Sequence, residues 1–284
     1  MRDRHKAIVA EQDIFDRALR RRRRDRAAPG YAAHDFLRAE MVDGIAERLA
    51  AVSRSFTDVL DLGCFDAAFS PPPGARIARL DAGFAFARAA DGVQGDEDRP
   101  PFADGAFDLI VSAGVFDSVN DLPGALTLAR RMLRPDGLFL AAFLGGDSLA
   151  TLRAVLLGAE RERPAARVHP RIDVQSAGDL LVRAGFALPV ADGETLTVRY
   201  AGLVPLLADL RGMAATSLLD RPPMTRETLG RAAALYAERA DADGRVAERF
   251  DIIFLTGWAP APGQPQPARR GSGKTSLAAA LKQH

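Results

Sequence analysis

Between residues 56 and 143 the sequence keeps changing its hydrophobic period, and that alternation limits the fold more than any other feature. Phe56-Thr57-Asp58-Val59-Leu60-Asp61-Leu62-Gly63 reads as a short buried strand ending in an acid and a glycine. Pro71-Pro72-Pro73-Gly74 breaks the chain, and Ala75 to Leu80 follows as a second strand ending at Asp81. Ala106 to Ser112 is a third, rich in β-branched and aromatic residues. Val119, Leu122, Leu126, Ala129 and Leu133 then recur at intervals of 3, 4, 3 and 4, the period of a helix. Pro135-Asp136-Gly137 closes it, and Leu138 to Phe143 runs as a fourth strand. Strands alternating with helices predict a parallel sheet covered on both faces, a doubly wound α/β fold.

The flanks carry helical signals. Leu37, Met41, Ile45 and Leu49 form a stripe, so residues 1–50 read as an N-terminal helical segment ahead of a domain at 51–258. Asp147 precedes the stripe Leu149, Leu152, Leu156 and Ala159. Ser176-Ala177-Gly178-Asp179 resembles a capping box for a helix that stops at Gly185. Thr225 caps Leu229, Ala233, Tyr236 and Ala240, and Phe250 to Gly257 is a final strand. The stretches 147–178 and 201–249 exceed ordinary connections and are expected to form a helical cover over the strand ends. Residues 259–284, Pro/Gly-rich and then basic, are expected to be a mobile tail. Within it Arg270 to Ser276 looks like the end of a phosphate-binding loop. Ala268 stands where that motif needs glycine, so a basic tail is the better reading.

Composition removes several classes. Lys and Arg number 38 against 37 Asp and Glu, a net charge of +1 that argues against nucleic-acid binding through bulk charge. The lone cysteine, Cys64, excludes an intramolecular disulfide, and four scattered histidines offer no metal-ligand pair. No apolar run approaches the ~20 residues that span a bilayer. The first residues lack the apolar core of a secretory signal, so a cytoplasmic protein is expected. The basic run Arg20 to Arg24 reads either as a patch for nucleic acid or anionic lipid, or as a solvated helix. Such a helix would begin near Asp13 and pack Ile14, Phe15 and Leu19, and Asp13, Asp16 and Asp25 dilute its charge in favour of that reading.

In a doubly wound sheet, ligands bind where strands exit at their carboxyl ends. Asp61 and Gly63 end the first strand, supplying an acceptor and a backbone that a ligand can approach. Asp81 lies 18 residues past Gly63 at the end of the second strand, where an acid can accept two ribose hydroxyls. Asp96-Glu97-Asp98, ahead of Pro100-Pro101-Phe102, could face an adenine amino group. Each acid alone reads as an ordinary cap or surface group; together they favour a pocket. Cys64 reads as a small buried apolar residue. His34 and His169 read as packing or surface residues, and Trp258 as core.

These segments resemble a family. VLDLGC, PPFADGAFDLIVS, VNDLPGALTLARRMLRPDGLFLAAFLGGDSLATLR and LLVRAGF look like class I S-adenosylmethionine-dependent methyltransferases. IFDRALRRRRRDRAA, GGDSLATLR, VRYAGLVPLLADLRGMAATS, ADGRV and FDIIFLTGW narrow the likeness to the mitochondrial complex I assembly factor five family and its bacterial relatives. The malonyl-carrier-protein methyltransferases of biotin synthesis are the next group. The resemblance implies a seven-stranded Rossmann-like sheet in the order 3-2-1-4-5-7-6. It also implies an S-adenosyl-L-methionine site at Asp61, Gly63, Cys64, Phe65, Asp81, Asp96, Glu97 and Val115. It assigns no catalytic residue. The implied activity is modification of a protein substrate: arginine hydroxylation on an iron–sulfur subunit of respiratory complex I, in place of methyl transfer. Peripheral membrane contact is compatible with that setting. Two departures stand out. The family loop places glycines where this chain has Phe65 and Ala67, and Val115-Phe116-Asp117-Ser118 replaces the usual Leu-His-Trp. At a left-handed φ each such side chain costs ~1–2 kcal/mol. These departures also support a non-catalytic assembly module as an alternative.

Overall fold

The computed structural model describes residues 13–160 and 164–265. Two helices lead, α1 (Arg17–Ala27) and α2 (Phe36–Ala50), joined by a 3-10 turn at Ala28–Ala33. The sheet strands are β1 (Asp58–Leu62), β2 (Arg76–Asp81), β3 (Val93–Gln94), β4 (Phe107–Ala113), β5 (Leu133–Gly145), β6 (Ala187–Tyr200) and β7 (Val246–Trp258). Between them lie α3 (Phe84–Ala89), α4 (Leu122–Met132), α5 (Ala150–Ala159), α6 (Val174–Arg183), α7 (Leu203–Gly212) and α8 (Arg226–Ala237). The order across the sheet is β3-β2-β1-β4-β5-β7-β6, as the resemblance implied, and β7 runs antiparallel to both of its neighbours.

The physical reason is legible strand by strand. β4 is buried at every position and β1 at four of five, as parallel strands covered on both faces require. Register sets Asp61 opposite Arg79 of β2 and Val111 of β4. The exits of β1, β2 and β4 therefore lie side by side along one edge, and the candidate acids sit there. Thr225 caps α8 by accepting the Thr228 N–H, and Gly185 has φ +83 just past α6, both as expected.

Several expectations need correction. α6 is capped by Asp173, which accepts the Ser176 N–H, so the Ser176–Asp179 box lies inside the helix. α5 starts after Leu149, whose φ is +61, and Asp147 does not cap it. Its first N–H groups, from Thr151 and Leu152, instead donate to buried Glu248 on β7. β7 begins at Val246, inside the stretch assigned to helical cover, and α6 runs past residue 178. The residue pattern gave no sign of β3 or β6. The expected tail from residue 266 and the phosphate-loop-like Arg270 to Ser276 lie outside the described residues. No helix among the described residues is long and apolar enough to cross a membrane.

Candidate functional site

The loop leaving β1 is left-handed where the family uses glycine. Gly63 has φ +87, and a β-carbon there would lie 2.4 Å from Val115 Cγ1, which stands at the exit of β4. Gly63 and Cys64 both donate to the Leu80 carbonyl, tying the loop to β2. Phe65 (φ +44) and Ala67 (φ +58) hold glycine-type conformations with side chains attached. The Phe65 ring stacks on Tyr31 at 5.2 Å and meets Phe86 edge-on at 5.3 Å. Cys64 is buried, and burial pushes its thiol well above the ordinary range.

The acids do converge, but on α1. Asp81 accepts from the N–H groups of Gly83 (2.7 Å) and Phe65 (2.9 Å), and from Arg24 through both oxygens, with Nε at 2.8 Å. Glu97, fully buried, takes a two-pronged contact from Arg20 at 2.6 and 2.8 Å. Asp96 accepts from Arg21 at 2.7 Å. Asp98 accepts two bonds from Arg17 at 2.7 and 2.6 Å. Burial opposes ionisation of Asp98, yet the Arg17 contact outweighs it and holds its carboxyl below the usual range. The basic run is therefore not a solvated face: Arg20 and Arg24 are 5 % and 3 % exposed, while Ile14 is out in solvent. Of the three apolar residues expected to pack, Phe15 alone is fully buried.

Asp61 is the exception. It is buried, and neither carboxylate oxygen has a hydrogen-bond partner among the described residues; Arg38 Nη2 stands 4.0 Å away. Burial raises its pKa to about 6, with the Arg38 charge only partly opposing. Arg38 itself is engaged by Asp66 and the Cys64 carbonyl. At the β4 exit, Asp117 pairs at 3.0 Å with Arg171, whose side chain is buried, an ion pair where the family pattern has an aromatic and an imidazole. His169 is buried as a packing residue, accepts the Leu218 N–H, and is held neutral by burial, with a pKa of about 4.

The structure thus brings Asp61, Gly63, Cys64, Phe65, Asp81 and Val115 together at the β1, β2 and β4 exits. It places Asp96 and Glu97 beneath α1. Sequence reasoning missed Arg17, Arg38 and Tyr31, and it read Arg20, Arg21 and Arg24 as part of a basic patch or a solvated helix without pairing them to the acids. A signal was present: residues 17, 20, 21 and 24 share one helical face, followed by buried Ala27. A second concavity, an open cleft of about 1150 Å³, lies beyond β5 between Gly146, Arg171, Thr195 and Arg249.

Known proteins match this arrangement. Residues 60–141 match a family model described as a methyltransferase domain. A phosphoethanolamine N-methyltransferase 2 from Haemonchus contortus, solved with S-adenosyl-L-methionine, superposes with a TM-score of 0.51 at 14% identity. That match covers 85% of this chain and 60% of the other. The fold is the one that S-adenosylmethionine-dependent methyltransferases share. Arginine-hydroxylase NDUFAF5, mitochondrial, of Danio rerio is 34% identical over 285 residues, covering 94% of this chain and 89% of its own. Malonyl-[acyl-carrier protein] O-methyltransferase of Laribacter hongkongensis is 31% identical over 279 residues, covering 89% of this chain and 93% of its own. The chain belongs to the arginine-hydroxylase NDUFAF5 family.

S-adenosyl-L-methionine is the group this class implies, and most of the residues do not fit it. Among the candidate acids, the Asp61 carboxylate and Asp96 Oδ1 have no donor among the described residues. The acids that would meet the adenosine carry arginines, the Phe65 ring fills the loop, and the cavity left beside Arg24, Tyr31 and Phe65 is about 60 Å³. Sites for ligands of that size are ordinarily ~300 Å³ or more.

Proposed function

We propose that this chain is a protein-directed assembly factor for a respiratory NADH dehydrogenase, working as a binding module without cofactor-dependent group transfer. The observation that carries this reading is the Phe65 ring, wedged among Tyr31, Phe86 and Arg24 where the family places glycine. Family membership supports a protein partner, and an iron–sulfur subunit is the partner we assign, met on the cytoplasmic side of the membrane. The cleft beyond β5 is wide enough for a partner segment and is lined by both signs of charge, including Arg171, Arg249, Asp173 and Asp251.

A second reading, cofactor-dependent arginine hydroxylation, is favoured by the unpartnered Asp61 carboxylate. Complementation separates the two. In a strain lacking this gene, NADH:quinone oxidoreductase activity should fall, and the wild-type chain should restore it. Asp61→Asn keeps the shape and removes the acid, and it should restore activity equally. Failure of a folded Asp61→Asn variant, together with loss of a hydroxylated arginine in the partner by mass spectrometry, would establish the enzymatic reading instead. The third family activity, methyl transfer in biotin synthesis, predicts biotin auxotrophy in the same strain; our reading predicts growth without biotin.

A further inference from the structure

We propose that the acid row Asp81, Asp96, Glu97 and Asp98 is a guanidinium receptor, and that α1 is its resident ligand, seated where a methyltransferase holds its adenosyl cofactor. The inference rests on geometry alone and stands whichever partner the chain serves.

Each of four arginines has its own nearest acid, and Arg17 also reaches Asp96 at 3.4 Å. Arg17, Arg20, Arg21 and Arg24 follow the spacing i, i+3, i+4, i+7, which puts them on one side of a helix. They meet Asp98, Glu97, Asp96 and Asp81 in that order. Arg22 and Arg26, on the other side, are exposed and meet no acid among the described residues. Charge on α1 is therefore sorted by face.

Arg24 shows why Phe65 belongs to the same device. Its guanidinium edge contacts both oxygens of Asp81 while its flat face covers the Phe65 ring, with Cζ 3.6 Å from the ring centre. A planar cation against an aromatic face, with its edge on a carboxylate, uses every recognition mode that guanidinium has. Glycine at position 65 would leave that face bare. The substitution that removes the cofactor's room thus builds the arginine's seat.

Other contacts hold α1 in register. Asp25 accepts the Ala85 N–H at the start of α3, and Arg23 donates to the carbonyls of Thr216 and Ser217. The Asp16 N–H donates to Leu218, and Asn120 bonds the Phe15 backbone in both directions. A tethered ligand competes at high effective concentration, and its charge-assisted bonds exceed what neutral ribose hydroxyls offer. Free cofactor has to displace all of this.

Two measurements test the proposal. First, hydrogen exchange on the wild-type full chain should show α1 amides equally protected with and without 1 mM S-adenosylhomocysteine, and calorimetry should detect no binding. Micromolar binding that deprotects α1 would overturn the proposal, because α1 would then be a displaceable cover. Second, Arg24→Ala should open a guanidinium-shaped gap between Asp81 and Phe65. Ethylguanidinium at ~10 mM should then raise the melting temperature of that variant by about 2 °C while leaving the wild type unmoved. Equal shifts in both proteins, or an equal response to methylammonium, would refute a guanidinium receptor. If Arg24→Ala does not fold, the wild-type exchange experiment still decides.

Discussion

Two neighbouring residues in the β1 loop share a strained backbone and differ in what the strain accomplishes. Ala67, at φ +58, is half exposed and has only a methyl group to lose. Ala67→Gly removes a left-handed penalty of ~1–2 kcal/mol against an entropic cost of ~0.5–1 kcal/mol, so stability should stay level or rise by up to about 1.5 kcal/mol. Phe65→Gly gains the same relief but loses a buried ring, so it should destabilise by about 2–3 kcal/mol. Urea unfolding of the two variants checks the contrast; an Ala67→Gly variant weaker than wild type would contradict it. Asp61 gives a pH signature. Its folded pKa of about 6 lies above its ordinary value of 3.8. The folded state therefore holds the proton more tightly, and stability from this group is present at low pH and lost as pH rises from about 4 through about 6. Asp61→Asn should gain about 3 kcal/mol at pH 8 and well under ~1 kcal/mol at pH 4. A gain independent of pH would show that desolvation of the charge is not the cause.

Elements follow the same division between what is local and what is long-range. β1, β4 and the later part of β5 were legible because parallel strands buried on both faces read as unbroken apolar runs. The start of β5 at Leu133 was hidden by Pro135-Asp136-Gly137, which reads as a helix stop. α8 and Gly185 were legible because a threonine cap and a left-handed glycine act within a few residues. β6 was not. It is an edge strand, mostly exposed or half-exposed, and carries Asp192, Glu194 and Arg199 on a weak alternation. The candidate acids were visible at the strand ends, yet their occupants were not, because Arg20 and Glu97 lie 77 positions apart. A run of arginines reads as a solvated face unless the fold supplies matching carboxylates. α1 is the element on which this matters energetically. Arg20→Ala should cost about 3–5 kcal/mol, since it strands a buried Glu97 charge, whereas exposed Arg22→Ala should stay within about 0.5 kcal/mol. Arg20→Met combined with Glu97→Met replaces the ion pair with apolar volume and should recover most of the loss. Thermal melts of these variants decide it: equal effects at positions 20 and 22 would mean that the pair is not formed in solution.

At the scale of the whole molecule, a net charge of +1 conceals a strong internal separation. The first 28 residues carry ten basic and five acidic side chains, so their removal leaves 28 basic against 32 acidic. The remainder would also keep Asp81, Asp96, Glu97 and Asp98 with their arginines gone, and it would lose the contact of the Phe15 ring with His169 at 4.7 Å. Like charges gathered at one sheet edge repel, and salt screens them over a distance that shrinks from ~8 Å at 0.15 M to ~3 Å at 1 M. A chain beginning at Pro29 should therefore melt far below the full chain in low salt, and 1 M sodium chloride should recover part of the difference. The full chain, its acids already paired in buried contacts, should respond much less, because buried pairs are screened weakly. Melting temperature against ionic strength for both chains tests this. Parallel salt responses would mean that α1 contributes packing alone, and that the acid row is neutralised by groups other than its arginines.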